Sequence, residues 1–299
     1  MEIAIITDDP GWHGARLKRA LESRGHQSTY VSLTACQLDI SGAALPVIIP
    51  GFQQHLPDGV FVRGIPGGSL EQVTFYLDIL HALRHLGICV YNDARAIEKT
   101  VDKGMTSWLL HRAGIPTPAT WVLGSTDEAF SIARREMDHG NMVVSKPLFG
   151  SQGVGLQRYQ THQDLASLSS ANGIFYLQRY IPPPMDSPSH DWRVFVIRGK
   201  AVAAMKRSGN SWLNNVAQGA TCSTASLADD TALGALAEDA VRTLGMAYAG
   251  VDIMSTGSGT LTVIEVNSVP AWKGLQGVST CNVAELLVED MLALIGNHQ

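Results

Sequence analysis

Two apolar runs joined by a short polar turn place the strongest constraint on how this 299-residue chain folds. The runs end in Ala-Gly-Val-Asp252-Ile-Met and Val-Ile-Glu265-Val-Asn267, and the insert 255–260 between them is rich in serine, threonine and glycine. Such a pattern predicts an antiparallel hairpin. Folding it about Ser258-Gly259 places Asp252 directly opposite Glu265.

One face of this predicted hairpin carries three oxygen-bearing side chains. Residues two apart on a strand share a face, so Asn267 is expected to point the same way as Glu265. Asp252, Glu265 and Asn267 together form a hard-donor set that suits Mg²⁺ or Mn²⁺ bound to phosphates. The alternative is a half-buried strand whose polar residues face solvent. The residues expected to face a core are Val251, Ile253, Ile264 and Val266.

A second candidate site lies upstream, where the apolar run 142–145 delivers Lys146 and then a glycine-rich loop. Gly150, Gly153 and Gly155 can turn backbone N–H groups toward an anion, and the lysine adds a positive charge for a phosphate. The loop is neither a Walker A motif nor a Rossmann fingerprint that opens a helix. Taken alone, it could be a simple turn.

In combination, the lysine–glycine loop and the later Asp…Glu-x-Asn pattern resemble the ATP-grasp superfamily, and more closely its RimK-like amino-acid ligases. Further similar segments follow in the family's order. They are the entry segment 92–103 with 113–120, the hinge strand 175–181, the strand 191–196, the arginine at Arg207, the stretch 215–219 and the final Asn267-Ser-Val-Pro270.

The resemblance implies an α/β chain, α+β in its ATP-binding part, with the ATP-grasp fold behind an N-terminal Rossmann-like pre-ATP-grasp domain. Alternating strands and helices in residues 1–92 favour a small parallel sheet independently. We expect three units: the N-terminal domain 1–92, a central lobe with a glycine-rich lid over 93–184, and a C-terminal lobe with the metal site over 185–299.

The resemblance also implies roles for individual residues in an ADP-forming carboxylate–amine ligase that uses ATP and two Mg²⁺ or Mn²⁺ ions. Glu265 would be shared by both ions, with Asp252 and Asn267 as outer ligands. Residues expected to act in catalysis are Arg193, Arg207 and Asn215. Residues expected to bind ATP are Lys103, Lys146, Gly150, Ser151, Gly153, Gly155, Gln178, Arg179, Tyr180, Ile181, Asp191 and Arg207.

Three departures from the family pattern stand out. Arg179 occupies a hinge position where an acidic residue is usual, which weakens the case for side-chain contacts to the adenosine. Gly219-Ala220 replaces a Gly-Gly pair. Ala271-Trp272-Lys273-Gly274 follows Pro270 where many relatives have a glycine, so we expect a specialised loop in which Trp272 and Lys273 contact substrate.

The segment 62–72, Val-Arg63-Gly-Ile-Pro-Gly-Gly-Ser-Leu-Glu-Gln, bears on the acceptor. It resembles the RimK-like subgroup that adds glutamate to tetrahydromethanopterin or deazaflavin coenzymes. Arg63 is therefore expected to contact substrate, together with Arg193 as a carboxylate clamp. The expected partners are a small-molecule carboxylate acceptor and an amino acid. A ligase acting on a protein C-terminus and a non-catalytic nucleotide-binding module are the alternatives.

Composition limits the remaining function classes. A net charge of −5 and a pI near 6.0 argue against a nucleic-acid or membrane-surface binder. No apolar run approaches the roughly 20 residues that span a bilayer. The four cysteines are scattered without a CxxC pair, as in reduced intracellular proteins. We therefore expect a cytoplasmic protein, and a homo-oligomer is left open.

Overall fold

The computed structural model describes residues 1–42, 44–150, 153–183, 188–209, 212 and 219–297. Its N-terminal part is a four-stranded parallel sheet in the order β2-β1-β5-β6. The predicted alternation of strands and helices is confirmed. In chain order the elements are β1 Glu2–Ile6, α1 Gly11–Glu22, β2 Gln27–Val31, β3 Gln37–Leu38, β4 Val47–Ile48, β5 Gly59–Val62, α2 Leu70–His85 and β6 Cys89–Tyr91.

Helices cover both faces of this parallel sheet. Ile3 and Ile5 pack toward α1 in one core cluster, whereas Ala4 and Ile6 pack toward α2 in another. This split follows from the period of two in a strand. Ser69 begins α2 with a complete capping box that includes Gln72.

Two helices connect the first sheet to the second: α3 Ala94–Val101 and α4 Lys103–Arg112. Asp102 divides them because its side chain accepts hydrogen bonds from the backbone N–H groups of Gly104 and Met105, which makes it the N-cap of α4. Lys103 is consequently the first residue of a helix.

A second sheet has four antiparallel strands in the order β7-β10-β8-β9. One helix packs on it, and a buried cluster that includes Ala129, Ala133 and Leu177 joins the two. Its elements are β7 Thr120–Leu123, α5 Thr126–Asp138, β8 Val143–Lys146, β9 Gln157–Tyr159 and β10 Phe175–Arg179.

The third sheet has five antiparallel strands in the order β13-β12-β11-β14-β15. It contains the predicted hairpin as its last two strands. Its elements and the helices that follow are β11 His190–Ile197, β12 Lys200–Ser208, β13 Thr221–Ala225, α6 Thr231–Leu244, β14 Tyr248–Ser255, β15 Leu261–Asn267, α7 Lys273–Val278 and α8 Val283–Gly296.

The last helix, α8, packs against the first sheet of the chain rather than only against its own sequence neighbours. Met291 and Ile295 approach Gly59 so closely that a Cβ there would lie 2.8 and 2.6 Å from their terminal carbons. Buried Asn92 adds a polar link, because its side chain bonds to the backbone of Ala247, Tyr248 and Ser268. The first and third sheets are therefore held in contact. No helix in these ranges has both the length and the apolar character needed to cross a bilayer.

Candidate active site

The hairpin β14–β15 brings the three predicted metal ligands together. Asp252 pairs with Glu265, as the sequence predicts, and Gly250 pairs with Asn267. All three side chains line a cavity of about 560 Å³ between the second and third sheets. The predicted Asp252–Glu265 pairing and the shared face are therefore confirmed.

The predicted core-facing positions are only partly correct, because the hairpin contains a β-bulge. Asp252 pairs with Glu265 but its neighbour Ile253 pairs with Val263, which leaves Ile264 as an extra residue. Val251, Ile253 and Val266 are buried as expected. Ile264 instead lines the cavity, where Met254 joins it, so the bulge turns an apolar side chain toward the ligand space.

The three oxygen-donor side chains differ in the number of hydrogen bonds and ion pairs that they form within the protein. Within the described ranges Glu265 forms no hydrogen bond or ion pair, and Asn267 uses only its amide N–H₂, in a long contact of 3.5 Å to the Gly250 carbonyl. Asp252 accepts bonds from two arginines. The free Glu265 carboxylate and the free Asn267 oxygen, together with the remaining lone pair of Asp252, fit a hard divalent cation such as Mg²⁺.

Asp252 belongs to a buried network of two arginines and two aspartates. Arg193 donates two hydrogen bonds of 2.7 Å to it, from Nε to Oδ1 and from Nη2 to Oδ2. Arg207 donates from Nη2 to Asp252 Oδ2 over 3.1 Å and from Nε to Asp191 Oδ1 over 2.6 Å. The charges of the four groups cancel, and bidentate bonds of this kind fix the guanidinium planes.

Burial and charge act in opposite directions on these groups. For Asp252, burial favours the neutral acid, but Arg193 and Arg207 outweigh it and lower the pKa to about 2. For Asp191, burial dominates over Arg207 and raises the pKa to about 6. Burial also opposes the charge of Arg207, yet the two carboxylates prevail and raise its pKa above the ordinary value. Arg207 is therefore a permanent cation at the cavity wall.

Two lysines face the metal-ligand side of the cavity. Lys146, at the end of β8, donates from Nζ to Gln178 Oε1 over 2.7 Å. Burial lowers its pKa to about 8, and the nearby Glu265 acts against that shift. Burial likewise lowers the pKa of Lys103, whose Nζ donates to the Gly150 carbonyl over 2.7 Å, again with Glu265 opposing. Each lysine thus holds a charge that an incoming anion would stabilise.

The glycine-rich loop contributes Gly150, Gly153 and Val154 to the same cavity. Gly155 adopts a φ of +74°, and a Cβ there would lie 2.8 Å from Pro147 Cγ, so both conformation and space select glycine. Ser151, which the sequence assigns to ATP binding, lies outside the described residues, as does the predicted catalytic Asn215.

A family model described as "RimK-like ATP-grasp domain" matches residues 100–291, and one described as "RimK PreATP-grasp domain" matches residues 1–97. The chain belongs to the RimK-like ATP-grasp family. It is thus a carbon–nitrogen ligase of the ADP-forming type. The predicted family and the ATP-grasp fold with a pre-ATP-grasp domain are confirmed.

Relatives of this RimK-like protein include a tetrahydromethanopterin:alpha-L-glutamate ligase of Methanococcus maripaludis, 34% identical over 78% of each chain. A probable alpha-L-glutamate ligase 2 of Pseudoalteromonas atlantica is 31% identical over 97% of this chain and 94% of that one. The ATP-grasp ligase PsnB, solved with a minimal precursor, Mg and ADP, superposes with a TM-score of 0.71 at 19% identity over 98% of both chains, a likeness of fold.

The hinge strand β10 shows how this RimK-like chain accommodates its departure from the family pattern. Gln178 lies buried, accepting from Lys146 and donating to Thr120 Oγ1 and Tyr176 OH, each over 3.1 Å. Arg179 bonds to Glu136 of α5 over 2.9 Å from Nε and 2.8 Å from Nη2. The unusual arginine therefore has an internal acidic partner. The sequence does not reveal this pair, because the two residues are far apart in the chain.

Tyr180 and Ile181 continue the hinge along the cavity wall. The Tyr180 backbone N–H donates to the Met142 carbonyl over 2.9 Å. The Ile181 N–H has no hydrogen-bond partner within the described ranges. A base or ring placed at the hinge could accept a hydrogen bond from it.

The structure corrects the expectation for Trp272. Its side chain is 0% exposed and belongs to the core cluster shared by the first and third sheets. It therefore has no surface on which a substrate ring could stack. Instead, the guanidinium of Arg63 lies 4.6 Å from the centre of its ring. Of the other residues expected to contact substrate, Lys273 lines the cavity. Arg63 donates from Nη1 to the Pro270 carbonyl over 3.1 Å.

Proposed function

We propose that this chain adds L-glutamate, or a similar amino acid, to a carboxylate of a small cofactor of the tetrahydromethanopterin type, through an acyl phosphate and with release of ADP. The observation that carries this proposal is a single cavity in which two lysines, the Arg193–Arg207 pair and three oxygen donors meet. A site for amide synthesis needs this combination, because a carboxylate is a poor acyl donor until its oxygen becomes a good leaving group.

The barrier to activation is mutual repulsion between the acceptor carboxylate and the ATP phosphates. Cations fixed in advance at the places where charge develops lower such a barrier. Lys103 and Lys146 would hold the α- and β-phosphates, since both lie near Glu265. Arg207 would hold the γ-phosphate and then the acyl phosphate, because its neighbours keep it charged at every working pH.

Glu265, Asp252 and Asn267 would hold the divalent ions, with Glu265 as the shared ligand. The ions would supply neutralisation of the triphosphate charge. Arg193 forms an ion pair with Asp252. Once Asp252 also binds the ions, Arg193 would orient a substrate carboxylate.

The apolar end of the cavity would receive the adenine ring. Met254 and the bulged Ile264 come from the hairpin, Val144 comes from β8, and Leu156 comes from the loop before β9. The free N–H of Ile181 would donate to a ring nitrogen. This arrangement matches the general design of ligand pockets, which combine apolar walls with a few polar groups that fix orientation.

The amine substrate and the acceptor are assigned from chain similarity. The relatives named as glutamate ligases support glutamate, and the tetrahydromethanopterin ligase among them supports a small ring-bearing acceptor. The segment 62–72 points to the same subgroup, and it follows β5 at the carboxyl edge of the parallel sheet, where open α/β sheets bind ligands.

The test is a coupled ADP-release assay with paired amino acids and carboxylate acceptors, run with and without hydroxylamine. We expect ADP, and a hydroxamate of the acceptor when hydroxylamine replaces the amino acid. AMP with pyrophosphate would indicate adenylation and contradict the acyl-phosphate route. Turnover with a peptide C-terminus and none with pterin-type acceptors would favour the protein-modifying alternative.

A further inference from the structure

A cluster of cationic and polar side chains lies beside the cavity, at the junction of the first sheet with the loop after β15. We call it the Arg63 cluster, formed by His13, Arg63 and Lys273. Arg63 lies over the Trp272 ring and bonds to the Pro270 carbonyl. The backbone N–H of Trp272 donates to His13 Nε2 over 3.1 Å. Both positive side chains act on the pKa of His13, which places the three groups together.

No carboxylate in the described part of the chain forms an ion pair with Arg63 or Lys273. The Nε of Arg63 is buried without a hydrogen-bond partner. The phenol of Tyr248, which also lies next to Arg63, is no counter-ion, because burial raises its pKa to about 12. A half-buried guanidinium without a counter-ion is costly. Such a charge is explained when a ligand supplies the missing anion.

His13 adds a neutral donor to the cluster. Because Nε2 accepts a bond from Trp272, the ring proton is assigned to Nδ1. Burial, with the charges of Arg63 and Lys273, lowers the pKa of His13 to about 4, so the ring is uncharged at neutral pH. Its Nδ1–H has no partner within the described ranges and is available to an acceptor.

Lys273 is the member of the cluster that a substrate in the cavity meets, because His13 and Arg63 are partly buried and are not among the described residues that line the cavity. Lys273 is exposed and lines the cavity together with Pro270 and Gly274. Beyond Arg63, a Cβ built on Gly64 or Gly67 would meet no atom within 4 Å. An anionic group could therefore reach the cluster from the cavity side or from above this loop.

We propose that His13, Arg63 and Lys273 form a carboxylate subsite that binds a substrate carboxylate which is not phosphorylated in the reaction. The inference rests on the proposed ligase function. L-Glutamate carries two carboxylates that stay ionised while its amine attacks, so it is the favoured source. An acceptor with a second carboxylate is the other source of the same chemistry.

The experiment is calorimetric titration of the full-length protein, saturated with a non-hydrolysable ATP analogue and Mg²⁺, with L-glutamate and separately with glutarate. Lys273→Met removes an exposed charge, and Arg63→Lys keeps the charge but loses the planar fork. Lys200→Met is the matched control, because Lys200 is 80% exposed on β12 and pairs with Glu238.

We expect Lys273→Met to weaken binding about tenfold, as loss of a charge-assisted contact does, with Lys200→Met unchanged. Weaker binding of L-glutamate, with or without weaker binding of glutarate, assigns the subsite to the amino acid, and weaker binding of glutarate with L-glutamate binding unchanged assigns it to the acceptor. Equal affinities in the wild type and both subsite variants, or no binding of either probe to the wild type, would overturn the proposal. Failure of the ligase function is separate, since it would abolish ADP release in the wild type while carboxylate binding persists.

Discussion

Two charged regions border the same cavity and balance their charge in different ways. In the Asp191–Arg193–Arg207–Asp252 network, the protein neutralises its own charge, since two carboxylates form ion pairs with two guanidinium groups. The Arg63 cluster has two cations and no carboxylate partner in the described ranges. The first arrangement can hold its geometry without ligand, whereas the second gains its counter-charge only when an anion binds.

Glu265 lies next to the neutralised network but has no ion-pair partner of its own within the described ranges. It lies directly opposite Asp252 on the neighbouring strand, yet it has no partner within the described ranges, whereas Asp252 is bound by two arginines. Two predicted metal ligands on one face of one hairpin thus have different consequences when they are removed. Substitutions at each position separate catalytic roles from structural ones.

The largest expected effect is on activity, in Glu265→Gln. The substitution keeps the shape and removes the charge that both ions would share, so we expect ADP release to fall by about 1,000-fold or more, or roughly 4 kcal/mol of barrier. Thermal unfolding should be nearly unchanged, because Glu265 makes no ion pair within the described ranges. Glu22→Gln, on the exposed side of α1, serves as the control. Activity within about tenfold of the wild type would contradict the metal assignment.

The next effect is on stability, in Asp252→Asn. This change leaves the buried Arg193 and Arg207 with Asp191 as their remaining carboxylate, and breaking a buried pair costs about 3–5 kcal/mol. Chemical denaturation should therefore give a lower free energy of unfolding for Asp252→Asn than for Glu265→Gln. Equal stabilities of the two variants would show that the network is not the structural element inferred here.

The hairpin shows which features of the site could be predicted from the sequence and which could not. Alternation and the turn predict the Asp252–Glu265 pairing, because a period of two is a local property. The bulge at Ile264 was not predicted, since it depends on hydrogen bonding to the partner strand. Trp272 was misassigned for a related reason: its burial depends on the first sheet and on α8, which are distant in the chain. Arg179 could be recognised as unusual, but its partner Glu136 could not be identified.

The Arg179–Glu136 pair gives a third prediction, with a smaller effect on stability. Glu136 is buried and accepts two bonds from Arg179, whose side chain is 41% exposed. Because solvent screens the exposed partner, we expect Glu136→Gln to cost about 1–2 kcal/mol in urea denaturation. The KM for ATP should stay within about twofold if Arg179 serves the hinge and not the nucleotide. A large rise in that KM with unchanged stability would place Arg179 in the ATP site.

The smallest expected effect concerns pH at the Arg63 cluster. The folded state holds the pKa of His13 at about 4, below its ordinary 6.5, mainly through burial and then through Arg63 and Lys273. A depressed pKa means that the unfolded chain binds the proton more readily, so the stabilisation from neutral His13 is present above pH 6.5 and is lost as the pH falls toward 4.

His13→Gln keeps an oxygen that can accept from the Trp272 N–H but removes the titration. The difference in unfolding free energy between wild type and His13→Gln should therefore shrink between pH 7.5 and about 4.5. Because His13 is only half-buried, solvent limits the size of this change. Parallel denaturation curves for the two proteins across that range would show that folding does not lower the pKa of His13.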